Sequence, residues 1–157
     1  MKTAFAALAL VAVAAPAAAE PKHSGTYKID PKRMNFSDGT TPPTMSLTVS
    51  MTITPDRLRY RSVNDTMKDR APYVSEFDAP LDDTPAPFPN QQRFNFVRIK
   101  KLSANEYRIM KMKDDDVISG EVWTFQPNGK EVVRRGVTKN PQNHSHFYDE
   151  WFVRTAG

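Results

Sequence analysis

The sequence predicts an all-β fold, a single antiparallel β-barrel of about 8–9 strands behind an N-terminal export signal. Three observations carry this reading. Beyond Gly25, apolar and polar residues alternate with a period of two. No stretch there keeps apolar residues at i, i+3, i+4 and i+7 over three turns. Short links rich in Asp, Asn, Gly and Pro separate the alternating runs, as antiparallel hairpins require and parallel crossovers do not.

The first 19 residues stand apart. Met1-Lys2 precedes an apolar run over 4–15, then Pro16 and Ala17-Ala18-Ala19 ahead of Glu20. The run is too short for the roughly 20 residues of a membrane-spanning helix, and the three alanines satisfy the Ala-x-Ala cleavage rule of a secretory signal peptide. Cleavage after Ala19 is expected, leaving 20–157 as one domain in a periplasm or secreted. The chain has no cysteine, so neither a disulfide nor a lipidated membrane anchor is expected. The formal charge is +4, of which the signal carries only Lys2. Basic residues are interleaved with acidic and apolar ones instead of clustering, which argues against nucleic acid as a partner.

Within the domain, strands are expected at 26–29, 45–53, 58–61, 72–77, 93–101, 106–112, 117–125, 131–138 and 145–154. In 45–53 every odd position is apolar and every even one is Ser or Thr, so one face is buried and the other wet. A turn at Thr54-Pro55-Asp56-Arg57 pairs Ile53 with Leu58 and Met51 with Tyr60, which keeps the apolar residues on one face. So many strands in one small domain must hide their edges. Closure into a barrel removes edges completely, and a two-sheet sandwich is the alternative. Segments 31–44 and 79–90 are expected to be loops. The second carries Pro80, Pro85, Pro87 and Pro89 and should run extended over the surface.

Three stretches then stand together: Gly25-Thr26-Tyr27-Lys28-Ile29-Asp30-Pro31-Lys32-Arg33-Met34-Asn35-Phe36, Val97-Arg98-Ile99-Lys100-Lys101-Leu102-Ser103-Ala104-Asn105-Glu106-Tyr107, and Pro127-Asn128-Gly129-Lys130. With the signal peptide, they resemble a group of small exported bacterial proteins with a lipocalin-like β-barrel, mostly of uncharacterised function. The resemblance implies a barrel with a binding cavity and carries over no catalytic residue. The chain departs from that pattern in having Tyr27 where Trp is commoner and in its Pro-rich 79–90 segment.

The residues offer several candidate sites. A turn at Asn128-Gly129 sets Phe125 opposite Val132, Trp123 opposite Arg134 and Val122 opposite Arg135, so one arginine points inward whichever face is interior. An interior arginine needs a partner, here Glu121, Asp149 or an anionic ligand group. Tyr60, Tyr73, Phe77, Trp123 and Trp151, with Met45, Met51, Met110 and Met112, form a soft aromatic set suited to an apolar ligand or to a plain core. These give the expected ligand-binding residues Tyr60, Tyr73, Phe77, Trp123, Arg134, Arg135 and Trp151.

His144-Ser145-His146 with Asp149 and Glu150 is the densest titratable group. His144 and His146 share a strand face with Tyr148 and Glu150, whereas Phe147, Asp149, Trp151 and Val153 form the more apolar face; the pattern leaves open which of the two points inward. With no thiol and only His23 as a third imidazole, no metal site and no cofactor are expected. His144, His146 and Asp149 are the candidates for acid–base catalysis, although His146 and Asp149 fall on opposite faces. Asp114-Asp115-Asp116 lacks the glycine of a calcium loop and reads as a solvated hairpin tip. No Gly-x-Ser-x-Gly, phosphate-binding glycine loop or His-Glu-x-x-His occurs.

Three functions fit these features. The first is a binding module for a small apolar or amphipathic ligand with an anionic group. The second is a cofactor-independent lyase, isomerase or hydrolase working in the cavity. The third is an envelope interaction protein. Oligomeric state is left open.

Overall fold

The computed structural model describes residues 22–39 and 44–157; the expected signal peptide lies outside them. Ten strands appear: β1 (Gly25–Phe36), β2 (Leu47–Ile53), β3 (Arg57–Asn64), β4 (Tyr73–Pro80), β5 (Ala86–Pro87), β6 (Phe96–Lys101), β7 (Glu106–Lys113), β8 (Asp116–Phe125), β9 (Glu131–Lys139) and β10 (Ser145–Ala156). They form one antiparallel sheet in the order β4-β3-β2-β1-β10-β9-β8-β7-β6-β5. This is a nearly closed barrel and not a two-sheet sandwich. Past Pro80 the chain turns onto β6, where Asp83 N–H bonds to Ile99 O at 2.8 Å and Lys101 N–H to Leu81 O at 3.2 Å. Those bonds bring the two ends of the sheet together.

The period-two pattern explains the core. On β2, Leu47, Val49, Met51 and Ile53 are buried while the Ser and Thr between them face out. The β2–β3 register pairs Ile53 with Leu58 and Met51 with Tyr60, as the turn chemistry dictates. The β8–β9 register pairs Phe125 with Val132, Trp123 with Arg134 and Val122 with Arg135. The turn between them is wider than two residues: Gln126 N–H bonds to Glu131 O at 2.9 Å, and Gly129 takes φ 66°.

Two expectations are corrected. The first strand does not stop before Pro31 but runs to Phe36. The extra residues are absorbed by a register shift between Ile29 and Met34 against β10, where Pro31 needs no ladder N–H. The 79–90 segment is not a surface loop. Ala79 and Pro80 belong to β4, Ala86–Pro87 forms β5 against β6 and brings the count to ten where about 8–9 strands were expected, and Leu81, Ala86 and Phe88 are buried. Prolines withhold donors from a ladder, yet they do not stop alternate residues from packing inward at the sheet edge.

A series of aromatic rings runs through the interior among aliphatic side chains. Tyr60 stacks on Phe77 at 4.7 Å and meets Trp123 edge-on at 6.0 Å; Trp123 stacks on Phe152 at 5.4 Å. Phe88 extends the series between Phe77 and Phe94, at 5.2 and 5.7 Å. Each such buried ring contributes about 1.5–3 kcal/mol over leaving it exposed. At one end His23 stacks on Phe125 at 4.3 Å, and its Nε2 lies 3.2 Å from Ala104 O and 3.1 Å from Asn105 Oδ1.

Candidate functional site

At the end of the barrel away from His23 the aromatic packing gives way to buried charge. Arg134 projects inward from β9, opposite Glu150 of β10. Its Nε donates to Glu150 Oε2 at 2.5 Å, Nη2 contacts the same oxygen, and Glu121 Oε2 lies 4.0 Å away. The guanidinium also lies over the rings of Trp123, Tyr148 and Phe152 at 5.3, 5.6 and 5.2 Å. Glu121, from β8, accepts from Tyr148 Oη at 2.6 Å and Trp123 Nε1 at 3.1 Å, and its Oε1 lies 3.1 Å from Lys111 Nζ. Two cations face two carboxylates in a water-poor interior, so the cluster is charge-balanced and every carboxylate is paired.

The ionisation of these groups follows from that geometry. Burial works against a charged Glu121, but Lys111, Arg134 and the hydrogen bonds from Tyr148 and Trp123 outweigh it and hold the carboxyl down to about 2. Burial also disfavours a charged Arg134, and Glu150 with Glu121 overcomes it, so the guanidinium is held more firmly protonated than usual. Burial, with Glu121 beside it, pushes the Tyr148 hydroxyl well above its ordinary range. Neither Glu121 nor Tyr148 is therefore poised to exchange a proton near neutral pH.

Tyr148 reaches Glu121 because Gly136 leaves it room. A Cβ at Gly136 would sit 2.6 Å from Tyr148 Oη and 2.8 Å from Gly120 O.

This cluster is the floor of a cavity of about 760 Å³. Lys111, Ser119, Glu121, Arg134, Tyr148 and Glu150 lie at its base, while Phe36, Met45, Tyr73, Phe94 and His146 supply apolar and aromatic walls. Asn90, Gln92, Arg93 and Thr138 complete the rim. The volume falls within the range of about 300–1,000 Å³ that small-molecule sites occupy. Two hollows of about 580 and 480 Å³ are lined by no buried charged side chain.

Of the residues named from sequence, Arg134 stands in the floor and Trp123 directly beneath it. Tyr60 and Phe77 are deeper in the core, and Tyr73 is largely exposed at the rim. Arg135 lies on the outer face, 3.2 Å from Asp149. Trp151 also lies outside, covered by the Arg33 guanidinium at 4.7 Å. The more apolar face of β10 is thus the outer one: Tyr148, Glu150 and Phe152 are buried, and Phe147 is 66% exposed. The cause is the 140–144 turn, closed by Asn140 N–H to His144 O at 2.8 Å, which sets Glu150 opposite the inward Arg134. Pairing that charge outweighs burying Phe147. His146 consequently lines the cavity wall near Phe36, at 6.3 Å between rings, while Asp149 faces out and His144 sits exposed in the turn. Among the described residues, no three His, Asp or Glu side chains gather as a metal site requires.

Sequence reasoning missed Lys111, Ser119, Phe36 and Phe94. Lys111 occupies an inward β7 position opposite Ser119, and that parity could have been counted from the β7–β8 tip had the register shift near Met112 been visible.

The fold and its cavity define a small single-barrel protein with a polar-floored pocket at one end. Comparison with protein families and with curated proteins finds no match. Among solved structures, the chain is similar to apo lipid binding protein 8 of Caenorhabditis elegans, with a TM-score of 0.52 over 85% of this chain and 96% of that one. The identity is 9%, so the likeness is one of fold.

Proposed function

We propose that the protein is an exported binding module that holds a small amphipathic molecule in the cavity at the barrel mouth. One observation carries the reading: a hydrogen-bonding, charge-balanced floor lies beneath walls of Phe36, Met45 and Phe94 in a space of about 760 Å³. A plain core would fill that space with side chains, as the Trp123 end of the interior is filled. The similarity to a barrel whose name records lipid binding agrees with this use of the fold. Export rests on the 1–19 segment, with its apolar run and Ala17-Ala18-Ala19.

The test is native mass spectrometry of the full-length chain expressed in a bacterial host and recovered from the periplasm, followed by denaturing release. A polypeptide beginning at Glu20 and an added mass lost on denaturation are the expected results. Full-length protein confined to the cytoplasmic fraction contradicts export, and periplasmic protein that keeps Met1 contradicts cleavage after Ala19. Protein that neither retains a molecule nor takes one up from a panel of apolar and amphipathic compounds contradicts the binding role.

A further inference from the structure

The cavity has two polar zones of different character, and this difference bears on the chemistry of its occupant. In the floor, both cations are engaged: Arg134 Nε is 2.5 Å from Glu150 and Lys111 Nζ is 3.1 Å from Glu121. A ligand anion placed there would meet two carboxylates and would have to break an existing ion pair to gain a partner. A ligand cation would meet the opposite difficulty. The floor therefore suits neutral hydrogen-bonding groups.

The rim is different. Arg93 donates from Nη2 to Thr138 Oγ1 at 2.8 Å and to the Lys139 carbonyl, and its guanidinium lies 5.3 Å from the centre of the Phe94 ring. Those contacts hold the side chain against the cavity wall. They leave Nε and Nη1 as donors, and among the described residues no carboxylate pairs with Arg93. Lys113, which with Arg93 lines an adjoining hollow of about 300 Å³, has no carboxylate partner among them either, whereas Lys139 there is paired with Asp116 at 2.6 Å. The other acids of the neighbouring tip are Asp114, which accepts from Asn95, and Asp115.

We infer that the cavity binds a monoanionic amphiphile with its charge outward: the carboxylate, sulfonate or phosphate ester sits on Arg93 at the rim, and the apolar body lies between Phe36, Met45 and Phe94. This rests on the binding role proposed above. It places the anion at the opposite end of the cavity from Arg134, the interior arginine that the sequence pattern singles out.

Two fluorescent probes separate the claims: the neutral N-phenyl-1-naphthylamine and the sulfonate 8-anilino-1-naphthalenesulfonate, titrated into the full domain at low salt. The expected result is that both bind in competition and that the sulfonate binds about fivefold tighter or more, the scale of a well-placed rim charge. Arg93→Gln should collapse that ratio to about one, and Arg93→Lys should keep part of it. Lys130→Gln, in the turn at the far end, should leave it intact. Binding of both probes with no preference, or a preference that survives Arg93→Gln, overturns the rim anchor while the cavity reading stands. Failure of both probes to bind overturns both.

Discussion

Replacing Arg134 by Met tests whether the floor is a mutually dependent ion network. The substitution keeps much of the side-chain volume and its contacts with Trp123 and Phe152, but removes the partner that sits 2.5 Å from Glu150 and 4.0 Å from Glu121. Both carboxylates are buried, so the cost is that of uncompensated charge in a low-dielectric interior, about 3–5 kcal/mol. A domain of this size has about 5–15 kcal/mol in total, so the variant should be folded but markedly weakened. Followed by Trp fluorescence in urea, with a slope of about 2 kcal/mol/M, the midpoint should fall by about 2 M. The double variant Arg134→Met/Glu150→Met removes both partners and leaves Glu121 with Lys111, so it should recover at least half of the loss. A single variant costing under about 1 kcal/mol, or a double variant no more stable than the single, would refute the reasoning.

Other consequences follow from the same contacts. Gly136→Ala should destabilise by about 1–3 kcal/mol, because the new Cβ meets Tyr148 Oη at 2.6 Å and a backbone oxygen, Gly120 O, at 2.8 Å. In a double-mutant cycle Tyr148→Phe should then cost less than it does in the native chain; an unchanged cost contradicts the shared space. Glu121, held to about 2, contributes stability that is fully present above about pH 4.5 and lost as pH falls through about 2. Glu121→Gln should flatten that acid limb, and an unchanged acid profile contradicts the assignment. His23 has its pKa lowered by burial, with Lys22 and Arg154 adding to the effect. Its contribution is present above about pH 6.5 and declines below it, so the His23 ring should titrate below the ordinary value in an NMR pH series.

The parts of the architecture legible in the sequence are those governed by local chemistry. Strict alternation over 45–53 and a compact turn before Leu58 leave one register that keeps Met51 and Tyr60 on the same face, and that is the register observed. A turn centred on Asn128-Gly129 likewise predicts Arg134 opposite Trp123, and the wider turn observed keeps that register. What escaped was set by non-local charge pairing or by register shifts. Hydrophobicity along β10 favours burying Phe147, Trp151 and Val153, but Arg134 on the neighbouring strand draws Glu150 and Tyr148 inward. A signal existed: counting a five-residue 140–144 link from Lys139 to Ser145 places Glu150 across from Arg134. The shifts near Pro31 and Met112 left no comparable mark, and they bring Phe36 and Lys111 into the cavity.

The most direct test of the central claim, that the mouth cavity is a binding site, is a ¹H–¹⁵N NMR titration of the domain with N-phenyl-1-naphthylamine. The account predicts saturable shifts centred on Phe36, Met45, Phe94, Lys111, Ser119 and Tyr148, with the His23 and Phe125 end unmoved. Shifts confined to the outer face around Phe147 and Val137, or an absence of saturable shifts, would contradict it.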